Sequence, residues 1–462
     1  MTETGNPETR WPQLLLSRLR ELVGEVLLTQ ALYVLALRGV SACLMFTTTT
    51  LLARHLGPEG LGAFSATMAL LILASLPLSF GIPQGIVRIV QSCLARDDEA
   101  AVAAAVRWSL VTGGTAAAAG ALILLTLWAG ASILGLTLPF HALAVALCLV
   151  PFVLIMCASG VLRAFSAPIL AVLPDLIGRN GLLVIALGIF LAFDVVFEVG
   201  TILFSQALSI ILGCAVALYL VHRTTRHLHG VKATAERSSE WRSICWPLLA
   251  AGIAGTVMTH ADLVMLALIR GDDAAGLYRA ASLAAVVATV VLAAFLHPLA
   301  PRVAAFAAQG KDEQLQRLVS FVTLCTTALT LPIAFALLIS PEAILTLVFG
   351  DRFAPGAATL SILVIGQVVS VLCGPVAMVL QYSGSERRVA ATFAACTGIN
   401  ILLNAALIPV FGAEGAAMAT ALSLVAWNVH LTLFASRHRN LSTSIFACGL
   451  LINAAPAPRS SS

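Results

Sequence analysis

Apolar residues along this chain come in long unbroken stretches separated by short polar connections. A helix that crosses a bilayer needs roughly 20 such residues in succession. Twelve stretches meet that description. In the first half they cover residues 31–53, 61–87, 109–134, 139–162, 176–192 and 201–221; in the second, 244–269, 280–300, 318–339, 357–379, 389–410 and 413–435. A transmembrane β-barrel would instead need short segments of alternating apolar and polar positions. Between Ala281 and Ala294 only Ser282 and Thr289 interrupt the apolar run. The pattern therefore predicts an all-α integral membrane protein with both termini on one side. Residues 445–455 are apolar but too few to span, so their placement stays open.

Composition agrees with a lipid environment: 60% of the 462 residues are hydrophobic and 10% charged, against about 45–50% and about 25% in soluble domains. Charge then sets the orientation, because Lys and Arg collect in cytoplasmic loops. With the N-terminus inside, 21 of the 26 basic residues fall on the inner side. Arg54, Arg270, Arg279 and Arg352 fall on the outer side, and Arg38 lies within the first helix. Both termini are accordingly expected in the cytoplasm, with Arg88 and Arg302 marking inner helix ends. The net charge of +4 comes from these loops. No basic stretch is interleaved with aromatics, which argues against a nucleic-acid partner.

Residues 1–30 read as a cytoplasmic or interfacial segment: Leu15, Leu19, Leu22 and Val26 face away from Arg18, Arg20, Glu21 and Glu25, the pattern of a helix lying on a membrane surface. Its acidic start does not fit a cleaved signal peptide. The ten cysteines are scattered, mostly within helices, with no CxxC pair. They read as small apolar fillers, and no disulfide, metal or cofactor is expected.

Set against itself at a shift of 214, the chain repeats. Gly57 meets Gly271, Glu59 meets Asp273, Gly62 meets Gly276, Phe64 meets Tyr278, Ala66 meets Ala280, Arg88 meets Arg302, Asp98 meets Asp312 and Glu99 meets Glu313. Ala207, Leu208 and Ser209 meet Ala421, Leu422 and Ser423. An even number of helices per half gives both halves the same orientation, the parallel-repeat arrangement of some transporters. The domain division is then 31–221 for one six-helix bundle, 222–243 for a basic linker, 244–435 for the second bundle and 436–462 for a tail. The linker's His222, His227 and His229 read as part of a solvated loop rather than a metal or pH-sensing site.

Catalytic signatures are missing. A phosphate-binding loop needs Gly-Lys-Ser/Thr, and the two lysines, Lys232 and Lys311, lie in GVKAT and GKDEQ. There is no GxSxG or HExxH, and the outer loops are a few residues each, so an enzyme is not expected.

The stretch LLARHLGPEGLGAFSATMALLILASLPLSFGIPQGIVRIV, residues 51–90, resembles the first two helices of polysaccharide-biosynthesis, O-antigen-type flippases. These belong to the multidrug, oligosaccharidyl-lipid and polysaccharide exporter superfamily. The likeness rests on the turn formed by Arg54, Leu56, Gly57, Pro58 and Gly62, and on IPVFGAEGAA with Gly412, Gly415, Ala416 and Ala417. The resemblance implies two six-helix bundles forming a V around a central cavity in the cell inner membrane. It further implies alternating access that carries a polyprenyl-diphosphate-linked oligosaccharide from the cytoplasmic to the outer leaflet. Membrane lipid, a coupling cation (H+ or Na+) and glycan polymerase or assembly proteins are the partners it suggests.

Ionisable groups inside a membrane are costly and tend to face a bundle interior or a water-filled cavity. Arg38 and Asp262, in the equivalent helices one and seven, are therefore the first candidates for the cavity. The guanidinium suits a diphosphate, and the carboxylate suits a cation or a sugar hydroxyl. His260, Asn180, Asn400 and Asn404 follow, the last two being one turn apart on one face. Two other readings remain: a cation-coupled exporter of small molecules, for which the buried acid speaks, and a non-transporting membrane scaffold for glycan assembly.

Overall fold

The computed structural model describes residues 25–133, 141–165, 167–193, 198–228, 238–439 and 441–445. Most of the expected interfacial segment, the middle of the linker with His229, and the apolar tail beyond residue 445 lie outside them. The first half comprises α1 (Glu25–Leu78), α2 (Ile82–Leu94), α3 (Glu99–Ile133), α4 (His141–Ala164), α5 (Pro168–Asp175), a π turn (Leu176–Gly181), α6 (Leu182–Ala192) and α7 (Val199–Thr224). The second comprises α8 (Ser238–Arg270), α9 (Asp272–Val286), a 3-10 turn (Val287–Thr289), α10 (Val290–Ala308), α11 (Asp312–Ile339), α12 (Pro341–Phe349), α13 (Ala357–Cys373), α14 (Val376–Tyr382) and α15 (Glu386–Arg439). The described residues contain no strand, as expected where every backbone polar group must be satisfied within lipid.

The described helices account for the twelve predicted passes, though nine of them, taken as single elements, are long and apolar enough to span. The difference lies in glycines and turns. In α1, Gly57 leaves the helical region at φ 73°, ψ −170°. In α15, Gly412 does so at φ 58°, ψ −128°. A methyl on Gly415 would lie 2.6 Å from the carbonyl carbon of Leu407, eight residues earlier, so the chain has doubled back. Each of these 54-residue elements is thus two passes. The eighth pass is split by its 3-10 turn into α9 and α10. A side chain with a Cβ is strained in the left-handed region, which is why glycine stands at both reversals.

The internal repeat is visible in the backbone. Gly271, the mate of Gly57, adopts φ 87°, ψ 174°, essentially the same conformation. Five residues on in each copy, the two halves touch reciprocally. A methyl on Gly62 would overlap the carbonyl oxygen of Asp272, and one on Gly276 would overlap that of Pro58. Pro58 and Asp272 are themselves mates at the same shift. Apolar burial gives little drive between helices in lipid, and close backbone approach at small residues takes its place.

Two large clusters organise the packing. One gathers Ile82, Ile86, Val102, Leu149 and Val161 of the first half, together with Trp241 and Cys245 from the start of α8. Trp241 stacks obliquely on Trp108 at 5.5 Å. The other joins Leu52, Leu61 and Leu183 to Leu266, Ala280 and Leu360 across the halves. The fold is therefore that of a multi-pass membrane protein with two similar helical halves.

Candidate functional site

Between the halves lies a cavity of about 680 Å3. Its floor on the second half is a hydrogen-bonded cluster. Asp262 of α8, 3% exposed, accepts the Leu263 N–H at 2.7 Å through Oδ1. Its Oδ2 accepts from the Tyr278 hydroxyl of α9 and from Thr420 Oγ1 of α15 at 3.1 Å. A buried charge requires such partners, and here three elements supply them. One residue along α9, Arg279 also faces the cavity. Its Nη2 lies 4.0 Å from Met45 Sδ, and among the described residues it meets no oxygen acceptor.

The first half contributes the π turn. A π turn carries one extra residue in the helix and often marks a functional position; here it projects Arg179 and Asn180 into the cavity. The turn is held against α7 by the close approach of Gly178 and Gly213, where a methyl on Gly213 would lie 2.6 Å from Gly178 Cα. Gln206 Nε2 also donates to Gly178 O at 3.2 Å. Arg179 pairs with Asp175 at 3.3 Å. Asn180 is 6% exposed, and among the described residues its Nδ2 has no hydrogen-bond partner.

Of the candidates named from sequence, Asp262, His260 and Asn180 all line this cavity. Asn400 and Asn404 do not. Both are fully buried: Asn400 Nδ2 donates to Ser423 Oγ at 3.2 Å, and Asn404 Nδ2 donates to Asn400 O and Oδ1 at 2.9 and 3.0 Å. They tie the two arms of α15 together. Arg38 lies on α1, but its side chain is outside the described residues.

Sequence reasoning missed Arg179, Arg279, Tyr278, Gln206 and Thr420. Both arginines read as charges at the ends of apolar runs, Arg279 one residue before the run that starts at 280 and Arg179 in the first turn of the run that starts at 176. The actual helices begin at Pro168 and Asp272, which carries both arginines inward. The repeat held a usable signal: Tyr278 meets Phe64 at the shift of 214, and a hydroxyl gained at one of two matched cavity positions marks chemistry.

A membrane protein whose two helical halves enclose a central cavity, with a few charged groups set in a largely apolar wall, has the architecture of a solute or lipid carrier. The described model of the polysaccharide biosynthesis protein family matches residues 27–306, and that of the MatE family matches residues 247–406. With more than half its length matched, the chain belongs to the polysaccharide biosynthesis protein family. The probable low-salt glycan biosynthesis flippase Agl15 of Haloferax volcanii is 28% identical over 174 residues, which make up 37% of this chain and 36% of that one. The chain thus spans about a third of that relative's length in the match. Two solved structures share the fold. One is an inward-facing multidrug resistance MATE family transporter of the MOP superfamily, with TM-score 0.68, 12% identity, and 90% and 96% of the two chains covered. The other is the lipid II flippase MurJ in an inward closed conformation, with TM-score 0.64, 12% identity, and 87% of each chain covered.

Proposed function

We propose that this chain is a flippase that moves a polyprenyl-diphosphate-linked oligosaccharide from the cytoplasmic to the outer leaflet by alternating access, with both termini in the cytoplasm. The observation that carries this reading is Arg279: a guanidinium facing the cavity, beside an acid already engaged by three donors, with no oxygen acceptor of its own among the described residues. An arginine in that setting takes an anion, and a diphosphate offers charge-assisted, bidentate acceptors. Across the cavity, the unpartnered Asn180 amide and the Arg179 guanidinium supply further donors. Thr48, Thr259 and Gln367 offer hydrogen bonds to sugar hydroxyls. Polymerase and assembly proteins would then act on the product.

The experiment is to quantify polyprenyl-linked oligosaccharide and surface polysaccharide in the native host with the gene deleted, restored, and restored as Arg279→Ala. Accumulated intermediates and lost polymer in the deletion, corrected by the wild type and not by R279A at equal abundance, support the reading. Unchanged pools sink it.

Asp262 favours a second reading, a cation-coupled small-molecule exporter, because a buried acid can exchange H+ or Na+. Efflux of a cationic dye that disappears in Asp262→Asn, with the glycan pools intact, would establish that reading in place of the first.

A further inference from the structure

We propose that α12 and the 3-10 turn after it, Asp351–Gly356, form a one-sided clasp by which the second half grips the first, and that its release precedes opening at the end of the molecule carrying Gly57 and Gly271. The inference takes from the reading above only that the cavity opens at its two ends in turn.

The clasp begins in the sequence. Pro341 has no N–H with which to continue the ladder of α11. The helix therefore stops at Ile339, Ser340 leaves the helical region at φ −137°, ψ 57°, and Pro341 opens α12 as its first residue. Its mate at the repeat shift is Leu127. There α3 runs on unbroken to Ile133, with Leu127 61% and Ile133 86% exposed. The described part of the first-half copy is a plain helix end, with no turn laid across to the other half.

Three contacts join the clasp to α1. The last carbonyls of a helix have no partners within it and carry the negative end of its dipole. Arg54 answers both needs, its Nε donating to Val348 O at 3.0 Å and its Nη2 to Leu347 O. Phe46 sets its ring 6.3 Å from that of Phe349, which in turn lies 5.9 Å from Phe353. Arg352 lies on the Gly57 reversal, its Nη1 3.1 Å from where a methyl would stand.

The other side of the clasp is seated on its own half. A methyl on Gly356 would lie 3.3 Å from Leu345 Cδ1 and 3.5 Å from Leu277 O, and Leu345, Phe349 and Phe353 join the core cluster that holds Ala280 and Leu360. These three side chains are buried, whereas Arg54 and Phe46, which reach the clasp from α1, are exposed. The easier break therefore falls at α1, and the clasp stays with the second half. Phe46 directly follows Met45, which lines the cavity beside Arg279, so the clasp closes on the same stretch of α1 that walls the cavity.

The test reads access to the surface between the halves and needs no cargo. Ala275 is fully buried in the cluster that spans the halves. In Ala275→Cys, alkylation by a water-soluble maleimide is followed by mass spectrometry on the peptide of residues 271–279, which holds no native cysteine. A buried thiol reacts only in the open state, so with rapid opening and closing the rate follows the open population. Phe46→Ala/Arg54→Ala, which alters α1 and leaves α12 intact, should speed the reaction about tenfold, the factor that 1.4 kcal/mol of lost contact makes. Arg54→Ala alone should give a smaller rise, and it decides the question where the double variant is not recovered folded. Arg270→Ala is the control, because it removes hydrogen bonds to Ile408 O, Pro409 O and Val410 O within the second half and should leave the rate unchanged. An unchanged rate in the α1 variants, or an equal rise in Arg270→Ala, overturns the clasp. Intact glycan pools in the deletion strain would sink the flippase reading and leave this result standing.

Discussion

The two walls of the cavity share a backbone and differ in chemistry. At the repeat shift Thr48, Phe64, Ser65 and Gln206 of the first half fall on Asp262, Tyr278, Arg279 and Thr420 of the second, and all eight line the cavity. The first-half set is neutral, while the second-half set holds an acid, its hydroxyl donors and an arginine. At one further pair the order reverses: Arg179 falls on Phe393, again with both on the wall. The lesson is that a duplicated scaffold fixes where cavity groups stand and leaves what they are free to diverge. The turns at Gly57 and Gly271 show the opposite regime, because the Gly62 and Gly276 contacts beside them use backbone atoms and tolerate no divergence.

The comparison can be broken most severely at that symmetric contact. Gly62→Leu or Gly276→Leu forces the halves apart, and each should cost more than about 3 kcal/mol, as overpacking against unyielding backbone does at its upper end. Thermal unfolding and monodisperse yield in detergent will register this, and retention of wild-type stability by either variant would contradict the packing described.

Next comes the arginine. Arg279→Ser gives the second wall the residue of the first and should lower the proposed glycan transport more than tenfold, about 1.4 kcal/mol or more of lost recognition, at unchanged abundance. Ser65→Arg in the same chain restores a guanidinium to the opposite wall. Recovery of transport would mean that the charge matters more than its side.

The acid is tested through stability. Tyr278→Phe copies the first-half residue and removes one donor to a buried carboxylate, costing about 1.5–3 kcal/mol for a charge-assisted bond. Thr420→Val removes the longer bond and should cost less. Unfolding midpoints of both variants, compared with Asp262→Asn, show whether the losses merge once the charge is gone, as coupled residues require.

The smallest change is Arg54→Ala. Arg54 Nε donates to Val348 O at 3.0 Å and its Nη2 to Leu347 O, holding the first half to the end of α12 at an exposed site. Its loss should cost about 0.5–1.5 kcal/mol, visible as a few degrees in the unfolding midpoint.

Much of this architecture was legible in the residues. Twelve apolar runs and the matched Gly57/Gly271 and Gly62/Gly276 turns carry the fold, because lipid penalises charge and close backbone contact demands glycine. The place of Asp262, His260 and Asn180 on the cavity wall was legible because polar groups stand out in apolar runs. Arg179 and Arg279 escaped because a charge near the end of a run reads as the end of the run. The π turn that aims Arg179 depends on a local extra residue with no periodic signature. The buried tail at 441–445 was unreadable for a similar reason: Leu-Ser-Thr-Ser-Ile has neither a helical nor a strand period, and the side chains that hydrogen-bond it, Gln316 and Thr323, stand more than a hundred positions away.

The start of α8 carries one more consequence. Trp241 and Cys245 belong to the core of the first half, although they follow the linker in the chain. As the polypeptide emerges, the first bundle can insert its six passes but still has an open notch beside Trp108 and Gly85. That notch closes only after residue 245 has been made, and at roughly 5–20 residues per second the delay after α7 is a few seconds. The first bundle therefore reaches its final packing only once the second has begun to exist, which ties the order of synthesis to the order of assembly.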